Sequence, residues 1–283
     1  MTPAEPLPGE DPRPATVIVG RDSNLSARLA KRAPAPTLIS AREFSSEGFR
    51  RQLPAGPFSL VLNNFQAATR LDDVRNPESF VQVSLGVTAS ILGSLADYDV
   101  RKIIYTSSAS VYGDNTSCRE DDRLMADSLH SSLKVANESL VRSAGRRHGI
   151  DTTIVRLFNM YGGDDNFSLI AKIIDAARLG TPLRVANRGN AVRDFIHVDD
   201  VVDVYEVLLD RRDIPVVNVA TGFGTSVRSI LDAVRREGYE LEIESVRRRE
   251  IDVSIADVTV LSGLVDVGRF GRVVEHVLES IRR

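Results

Sequence analysis

From Ala15 onward, short runs rich in β-branched residues alternate with stretches whose apolar positions recur at helical spacing. The runs at 15–20 (ATVIVG), 36–40 (PTLIS), 58–63 (FSLVLN), 101–108 (RKIIYTSS) and 151–158 (DTTIVRLF) predict buried strands. Helices are predicted over 24–32, 77–97, 129–148 and 168–179. Buried strands alternating with helices imply a parallel sheet covered on both faces. Ligands of such sheets lie beyond the carboxyl ends of the strands, here after Val19, Ile39, Leu62, Ser107 and Phe158. Past residue 160 the elements shorten, with strand candidates at 182–186, 216–220 and 241–246 and helices at 198–210, 226–237 and 269–282.

Composition narrows the partners. The 36 basic against 39 acidic residues give a net charge of −3, which predicts no broad attraction to nucleic acid or to an anionic membrane. Arg247, Arg248 and Arg249 form only a local basic run, of the kind a solvated face carries. The single cysteine, Cys118, excludes an intramolecular disulfide and a multi-cysteine metal site. His130, His148, His197 and His276 do not pair at metal-ligand spacing, so no metal is expected. No apolar run is read as approaching the roughly 20 residues that cross a bilayer. The proline-rich, acidic residues 1–14 read as a disordered lead-in without a signal-peptide layout, and a cytoplasmic location is expected.

Five stretches carry candidate chemistry. YTSSASVYG (105–113) ends a strand, and DSLHSSLKVANE (127–138) starts a helix. VRLFNMYGG (155–163) and RDFIHVDDVV (193–202) follow, with VVNVATGFGTSV (216–227) later. In this order and spacing they resemble the extended short-chain dehydrogenase/reductase family, in particular its sugar-nucleotide epimerases and dehydratases. The resemblance runs from about Thr16 to the C-terminus. It implies a Rossmann-like, doubly wound parallel sheet over 15–160 and a smaller C-terminal substrate-binding domain, mainly 161–283, with segments interleaved.

The resemblance also implies site residues. Ser108 would hold the reacting oxygen, with Ser107 behind it, and Lys134 would bind the cofactor ribose, kept in register by Glu138. The proton-moving tyrosine of the family stands four residues before that lysine; here the position holds His130. Imidazole titrates near neutrality and suits general acid–base work, and a neighbouring Lys⁺ would favour its neutral form. It is shorter than a phenol, so a polar residue in a vestigial site is the competing reading, and Tyr112 or Tyr161 is another source of a hydroxyl.

The cofactor end departs from the family pattern. Its GxxGxxG turn is GRDSNLS here: Gly20 remains, while Ser23 and Ser26 replace the other glycines. Gly20, Ser23, Asn24 and Leu25 would still meet the pyrophosphate, although Ser23 or Asn24 alone could simply cap a helix. At the end of the second strand the expected acid is missing, and Ser40 and Arg42 stand near its place. An arginine there accommodates a 2′-phosphate, which favours NADP over NAD. Asn63 and Asn64 replace small residues after the third strand, Thr106 lines the fourth, and Ser84 takes a helix position that is often Asn.

At the substrate end, Asn159 and Arg193 match residues that meet the diphosphate, and Arg249 with Asp252 matches a pair that grips diphosphate and ribose. Structural alternatives are a loop cap for Asn159, an ion pair of Arg193 with Asp194 or Asp199, and a surface pair for Arg249 and Asp252. His197 and Asp199 are expected to orient a turn and cap the following helix. The expected ligands are NAD or NADP and a nucleotide-diphosphate sugar, and the family often forms homodimers. Three functions follow: an epimerase or ketoreductase, a catalytically silent binding homologue, or non-redox chemistry built on His130. A 4,6-dehydratase fits least, because no acidic pair follows Ser108.

Overall fold

The computed structural model describes residues 13–63, 77–247 and 250–283; most of the expected lead-in 1–14, Asn64 and Arg249 lie outside them. The chain runs β1 (Ala15–Val19), α1 (Asn24–Leu29), β2 (Pro36–Ile39), α2 (Ser46–Gln52) and β3 (Phe58–Leu62). Then α3 (Pro77–Val81) passes through a π-turn at Gln82–Gly86 into α4 (Val87–Gly93), followed by β4 (Val100–Ser108), β5 (Ser117–Cys118) and α5 (Leu129–His148). Next come β6 (Asp151–Leu157), β7 (Asn159–Tyr161), α6 (Leu169–Leu179), β8 (Leu183–Ala186), β9 (Val192–His197) and α7 (Val198–Asp210). The last elements are β10 (Val216–Val219), β11 (Gly224–Ser226), α8 (Val227–Arg236), β12 (Ile243–Val246), β13 (Val253–Ala256), α9 (Thr259–Ser262) and α10 (Val273–Arg282).

Six parallel strands form the main sheet in the order β10-β6-β4-β3-β1-β2. The chain leaves β1 for β2 on one side and returns to β3 on the other, so the winding reverses between β1 and β3. A crevice outside the carboxyl ends of the strands at such a reversal is where open α/β sheets bind ligands. Val19 is in register with Leu62, so the segments after Gly20 and at Asn63 both open onto it.

Alternation along each strand divides the core. Val17, Val19, Leu60, Leu62 and Ile103 face Val87, Ile91 and Leu95 of the 77–97 helix and Val141 of α5. Ile18, Val61, Ile104 and Val155 face Leu25 and Leu29 of α1 and Val201, Val204 and Leu208 of α7. Thus α7 and β10, although beyond residue 160, belong to the first layer. The smaller lobe is a sheet ordered β11-β9-β13-β5 with β7 beside β9, the pair β8–β12, and helices α6, α8 and α10.

The expectation that no apolar stretch reaches bilayer length is corrected. Because the π-turn keeps 77–97 continuous, this helical stretch has 21 residues, and its most apolar 18-residue window has a mean hydropathy of 1.5. Its apolar side chains Val87, Ile91, Leu92 and Leu95 pack in the core of the sheet, which accounts for the composition. Sequence reading also missed β5, β7, β9, β11 and β13, which are short or too polar for a strand pattern; β7, β5 and β11 span only three, two and three residues.

A buried polar network ties the two lobes. Glu138 of α5 has no exposed surface and receives Ser107 Oγ at 2.5 Å, Arg156 Nε at 3.2 Å and Arg156 Nη2 at 3.1 Å. Arg156 also donates to the Tyr112 hydroxyl, 3.0 Å, and Tyr112 donates to Asn218 Oδ1, 2.7 Å. Asn218 Nδ2 then reaches the carbonyls of Cys118 and Asp257 at 2.9 and 3.1 Å. Glu138→Ala leaves the Arg156 guanidinium buried and uncompensated, which costs about 3–5 kcal/mol. Arg142, half-exposed at the far oxygen of Glu138, makes a bridge worth under about 1 kcal/mol. Urea unfolding is expected to show this contrast between Glu138→Ala and Arg142→Ala; equal losses would contradict the network's role.

Candidate active site

The carboxyl end of β4 meets the first two turns of α5. Ser128 caps α5 by accepting from Ser131 N, and the Ser131 hydroxyl receives Ser128 N in return, which fixes where the helix begins. His130 then lies in the first turn and Lys134 one turn on. Lys134 is buried, its Nζ donates to the Thr106 carbonyl at 2.8 Å and lies 5.3 Å from the Tyr105 ring centre. Burial pushes its pKa down to about 8, opposed by the charge of Glu138. Glu138 holds the register through Ser107 and Arg156 rather than by a hydrogen bond to Lys134.

Burial, with the charge of Lys134 second, pushes His130 down to about 4, so its imidazole is neutral at pH 7. Its Nδ1 is buried and has no hydrogen-bond partner among the described residues. A neutral ring with an unpaired nitrogen beside a buried amine can take or hold the hydrogen of a ligand hydroxyl. Ser108, at the end of β4, is half-buried and accepts from Ser110 N at 3.2 Å, so its hydroxyl still has a proton to give.

Several expectations change here. The Thr106 hydroxyl pairs with Tyr205 at 2.5 Å on the other face of the sheet, leaving only its carbonyl toward Lys134. Tyr112 and Tyr161 do not supply a substitute hydroxyl. Tyr112 is fully buried between Arg156 and Asn218, and Tyr161 donates to Gly271 O at 3.3 Å; burial drives both pKa values upward.

At the crevice between β1 and β3, Gly20 adopts φ 109°, a conformation that side chains resist, and so keeps the tight turn. Ser23 caps α1 by accepting from Ser26 N at 3.0 Å and donates to Ser26 Oγ at 2.9 Å. Asn63 Nδ2 crosses from the end of β3 to both hydroxyls, 3.0 Å to Ser23 and 2.8 Å to Ser26. The glycine positions of the family turn are therefore filled by a three-residue bridge, a role for Asn63 that sequence reading missed. Leu25 is packed in the apolar core, so its side chain meets no ligand. Asn24 ties to the loop after β7, donating to Gly162 O at 2.8 Å and accepting from Asp164 N at 3.3 Å.

Ser40 is buried and accepts from Glu43 N at 3.3 Å, while Arg42 is exposed at the rim and Arg21 pairs with Glu43 at 3.1 Å. Ser84 lies in the π-turn, where its carbonyl and hydroxyl receive Asn137 Nδ2 at 3.3 and 3.4 Å.

In the smaller lobe Asn159 Nδ2 donates to the Asp194 carbonyl at 3.0 Å and thereby joins β7 to β9. Arg193 pairs neither with Asp194 nor with Asp199. Its Nη2 lies 3.4 Å from Glu250, whereas Asp194 is buried among Thr221, Gly222 and Ala256 and Asp199 bonds Arg28 at 2.5 Å. The Asp252 side chain is exposed, and its carbonyl receives Val192 N at 2.8 Å. His197 caps α7 by accepting from Asp199 N at 3.2 Å, a structural role as expected.

The model of the NAD dependent epimerase/dehydratase family matches residues 23–220, and the chain belongs to that family. It is 32% identical over 198 residues to the low-salt glycan biosynthesis protein Agl12 of Haloferax volcanii, covering 67% of this chain and 63% of that one. It is 24% identical over 205 residues to a UDP-glucose 4-epimerase of Halalkalibacterium halodurans, covering 64% of this chain and 61% of that enzyme. These alignments span less than two thirds of each relative. The fold matches that of UDP-glucuronic acid 4-epimerase from Bacillus cereus in complex with UDP-glucuronic acid and NAD, with TM-score 0.82, 15% identity and coverage of 95% and 98%. It also matches MoeE5 in complex with UDP-glucuronic acid and NAD, with TM-score 0.80, 20% identity and coverage of 95% and 99%.

Two measurements test this geometry. His130 is depressed from its ordinary 6.5 to about 4, so it contributes stability above pH 6.5 that is lost as the pH falls toward 4. NMR titration should show one imidazole midpoint near 4 that His130→Gln removes; a midpoint near 6.5 would contradict the burial. Asn63→Ala removes two hydrogen bonds to the Ser23 and Ser26 hydroxyls and should lower the unfolding free energy by about 1–3 kcal/mol in urea titrations.

Proposed function

We propose that the protein is an NAD(P)-dependent enzyme acting on a nucleotide-diphosphate sugar, of epimerase or ketoreductase type. The observation that carries this reading is the unpaired, buried Nδ1 of neutral His130 beside buried Lys134, at the strand end that also presents Ser108. The family membership and the sugar-nucleotide ligands named for the relatives support the substrate class.

The residues present fit a nicotinamide dinucleotide at its ribose end and, less generously, at its pyrophosphate. Lys134 gives one proton to Thr106 O and retains two for ribose hydroxyls. Gly20 keeps the turn, while the Ser23 hydroxyl occupies part of the approach to α1. When bound, the nicotinamide supplies hydride exchange with a sugar carbon. Ser108 donates to the oxygen on that carbon, and the neutral His130 takes the proton released as the hydroxyl becomes a carbonyl, then returns it. Lys134 holds the ribose and, second to burial, lowers the pKa of His130. Asn159, Arg193 and Asp252 would meet the diphosphate; Arg249, expected beside them, lies outside the described residues.

NAD is the dinucleotide named with several relatives, and the finer preference rests on Arg42, whose exposed guanidinium would meet a 2′-phosphate. A silent binding homologue is the second reading, favoured by the bridge that fills the glycine positions. A homodimer is expected in solution.

Calorimetry with NAD and NADP, followed by assay on UDP-sugars, separates these. His130→Ala is expected to lower kcat by about 100-fold or more, as loss of a general acid–base does. Unchanged turnover in that variant would remove imidazole from the mechanism. Absence of dinucleotide binding at millimolar concentration would remove the redox reading. Ser23→Gly is expected to tighten dinucleotide binding, on the order of tenfold for one cap hydrogen bond given up to the phosphate.

A further inference from the structure

Arg193 is the one cation among the described residues assigned above to the substrate's diphosphate, and it faces a carboxylate. Its side chain is 19% exposed and that of Glu250 only 14%, with Nη2 and Oε2 3.4 Å apart. The arginine is the second residue of β9, where Thr225 of β11 and Ser254 of β13 flank it, and its Nη1 donates to Val192 O at 2.9 Å. The carboxylate is held from its other side by Asn187 Nδ2, 2.8 Å from Oε1.

The backbone that delivers Asn187 is unusual. Asn187 and Arg188 both have positive φ, 44° and 60°, ahead of Gly189 at 74°. Two consecutive non-glycine residues in this region cost free energy, although asparagine tolerates it better than most. The turn is retained by the donation of Arg228 Nε to Arg188 O at 3.4 Å and by close packing of Gly189 on Val227 and Arg228. A strained turn thus holds one oxygen of Glu250 while Arg193 holds the other.

We propose that Glu250 is a specificity-determining residue, an internal counter-ion that competes with the substrate's diphosphate for Arg193. This rests on the nucleotide-sugar reading above and adds to it the charge the site accepts. With the carboxylate in place, the Arg193 pair is neutral, and an incoming diphosphate meets a like charge unless Glu250 swings away. Like-charge juxtaposition at close range opposes binding and selects against the more highly charged ligand. The wild-type lobe therefore disfavours a free nucleoside diphosphate relative to its sugar ester, which carries one negative charge fewer on the terminal phosphate.

The test uses UDP and UDP-glucose as probes on the full-length protein, titrated by calorimetry at fixed pH and ionic strength. Glu250→Gln keeps an oxygen for Asn187 and removes the charge. It is expected to tighten UDP on the order of tenfold and UDP-glucose by a smaller factor. Asn187→Ala, which frees the carboxylate without neutralising it, should tighten both by a lesser amount. Arg193→Gln should weaken UDP in the wild-type and Glu250→Gln backgrounds. Equal or weaker UDP binding by Glu250→Gln, with an unchanged melting temperature, would overturn the proposal while leaving the nucleotide-sugar reading intact. Binding of neither probe to either protein at millimolar concentration would overturn that reading and the proposal with it.

Discussion

The buried pair between Glu138 and Arg156 is the constraint from which the site takes its shape. Glu138 stands one turn after Lys134 on α5, and Arg156 lies near the end of β6, the strand next to β4. Their two-point contact fixes the rotation of α5 over the sheet. Ser107 joins the same carboxylate, so the last residues of β4 are fixed by it too. Thr106 precedes Ser107 and turns its hydroxyl to the opposite side of the strand from Glu138, toward Tyr205. The positions of Lys134 and His130 follow from the same rotation. A buried ion pair contributes little net stability over an apolar substitute, but breaking it on one side is expensive. Its value here is positional, since a sliding contact of apolar side chains would not hold a helix to one angle.

The network extends this constraint into the second lobe. Tyr112 and Asn218 carry it from Arg156 to the carbonyls of Cys118 and Asp257, which end β5 and follow β13. β13 in turn pairs with β9, the strand that bears Arg193. On the other face, Asn24 and Arg28 of α1 reach Gly162 and Asp199, so the first helix is tied to the loop after β7 and to the start of α7. The crevice of the main sheet and the smaller lobe are thus joined through polar contacts on both faces of the main sheet.

Much of the fold was legible because periodicity reports burial. The bounds predicted for α5, 129–148, match the structure, and the six main strands stood out as β-branched runs. The short strands of the smaller lobe did not, since β5 and β11 are too brief to show alternation. Within the site, Ser108, His130 and Lys134 were legible from motif order. What escaped were pairings between distant positions. A charged Arg156 inside the apolar run TIVRLF was a signal of a buried partner, but nothing in the sequence said that the partner was Glu138. Likewise Glu250 beside Arg249 reads as a surface residue until β9 and β13 bring it to Arg193.

The substitutions at the cofactor end look independent in sequence and are one change in space. A serine at position 26 alone would bury a hydroxyl between α1 and the sheet without a partner, at a cost comparable to a lost hydrogen bond. Asn63 satisfies it, and the same amide nitrogen satisfies Ser23, which in turn caps the helix that glycine would have left open to a phosphate. The Asn63 amide nitrogen and the Ser23 hydroxyl both donate within this bridge. The crevice at the sheet's reversal has been rebuilt as a polar bridge. The turn after β1 is therefore held by hydroxyls and a side-chain cap rather than left as bare glycine backbone.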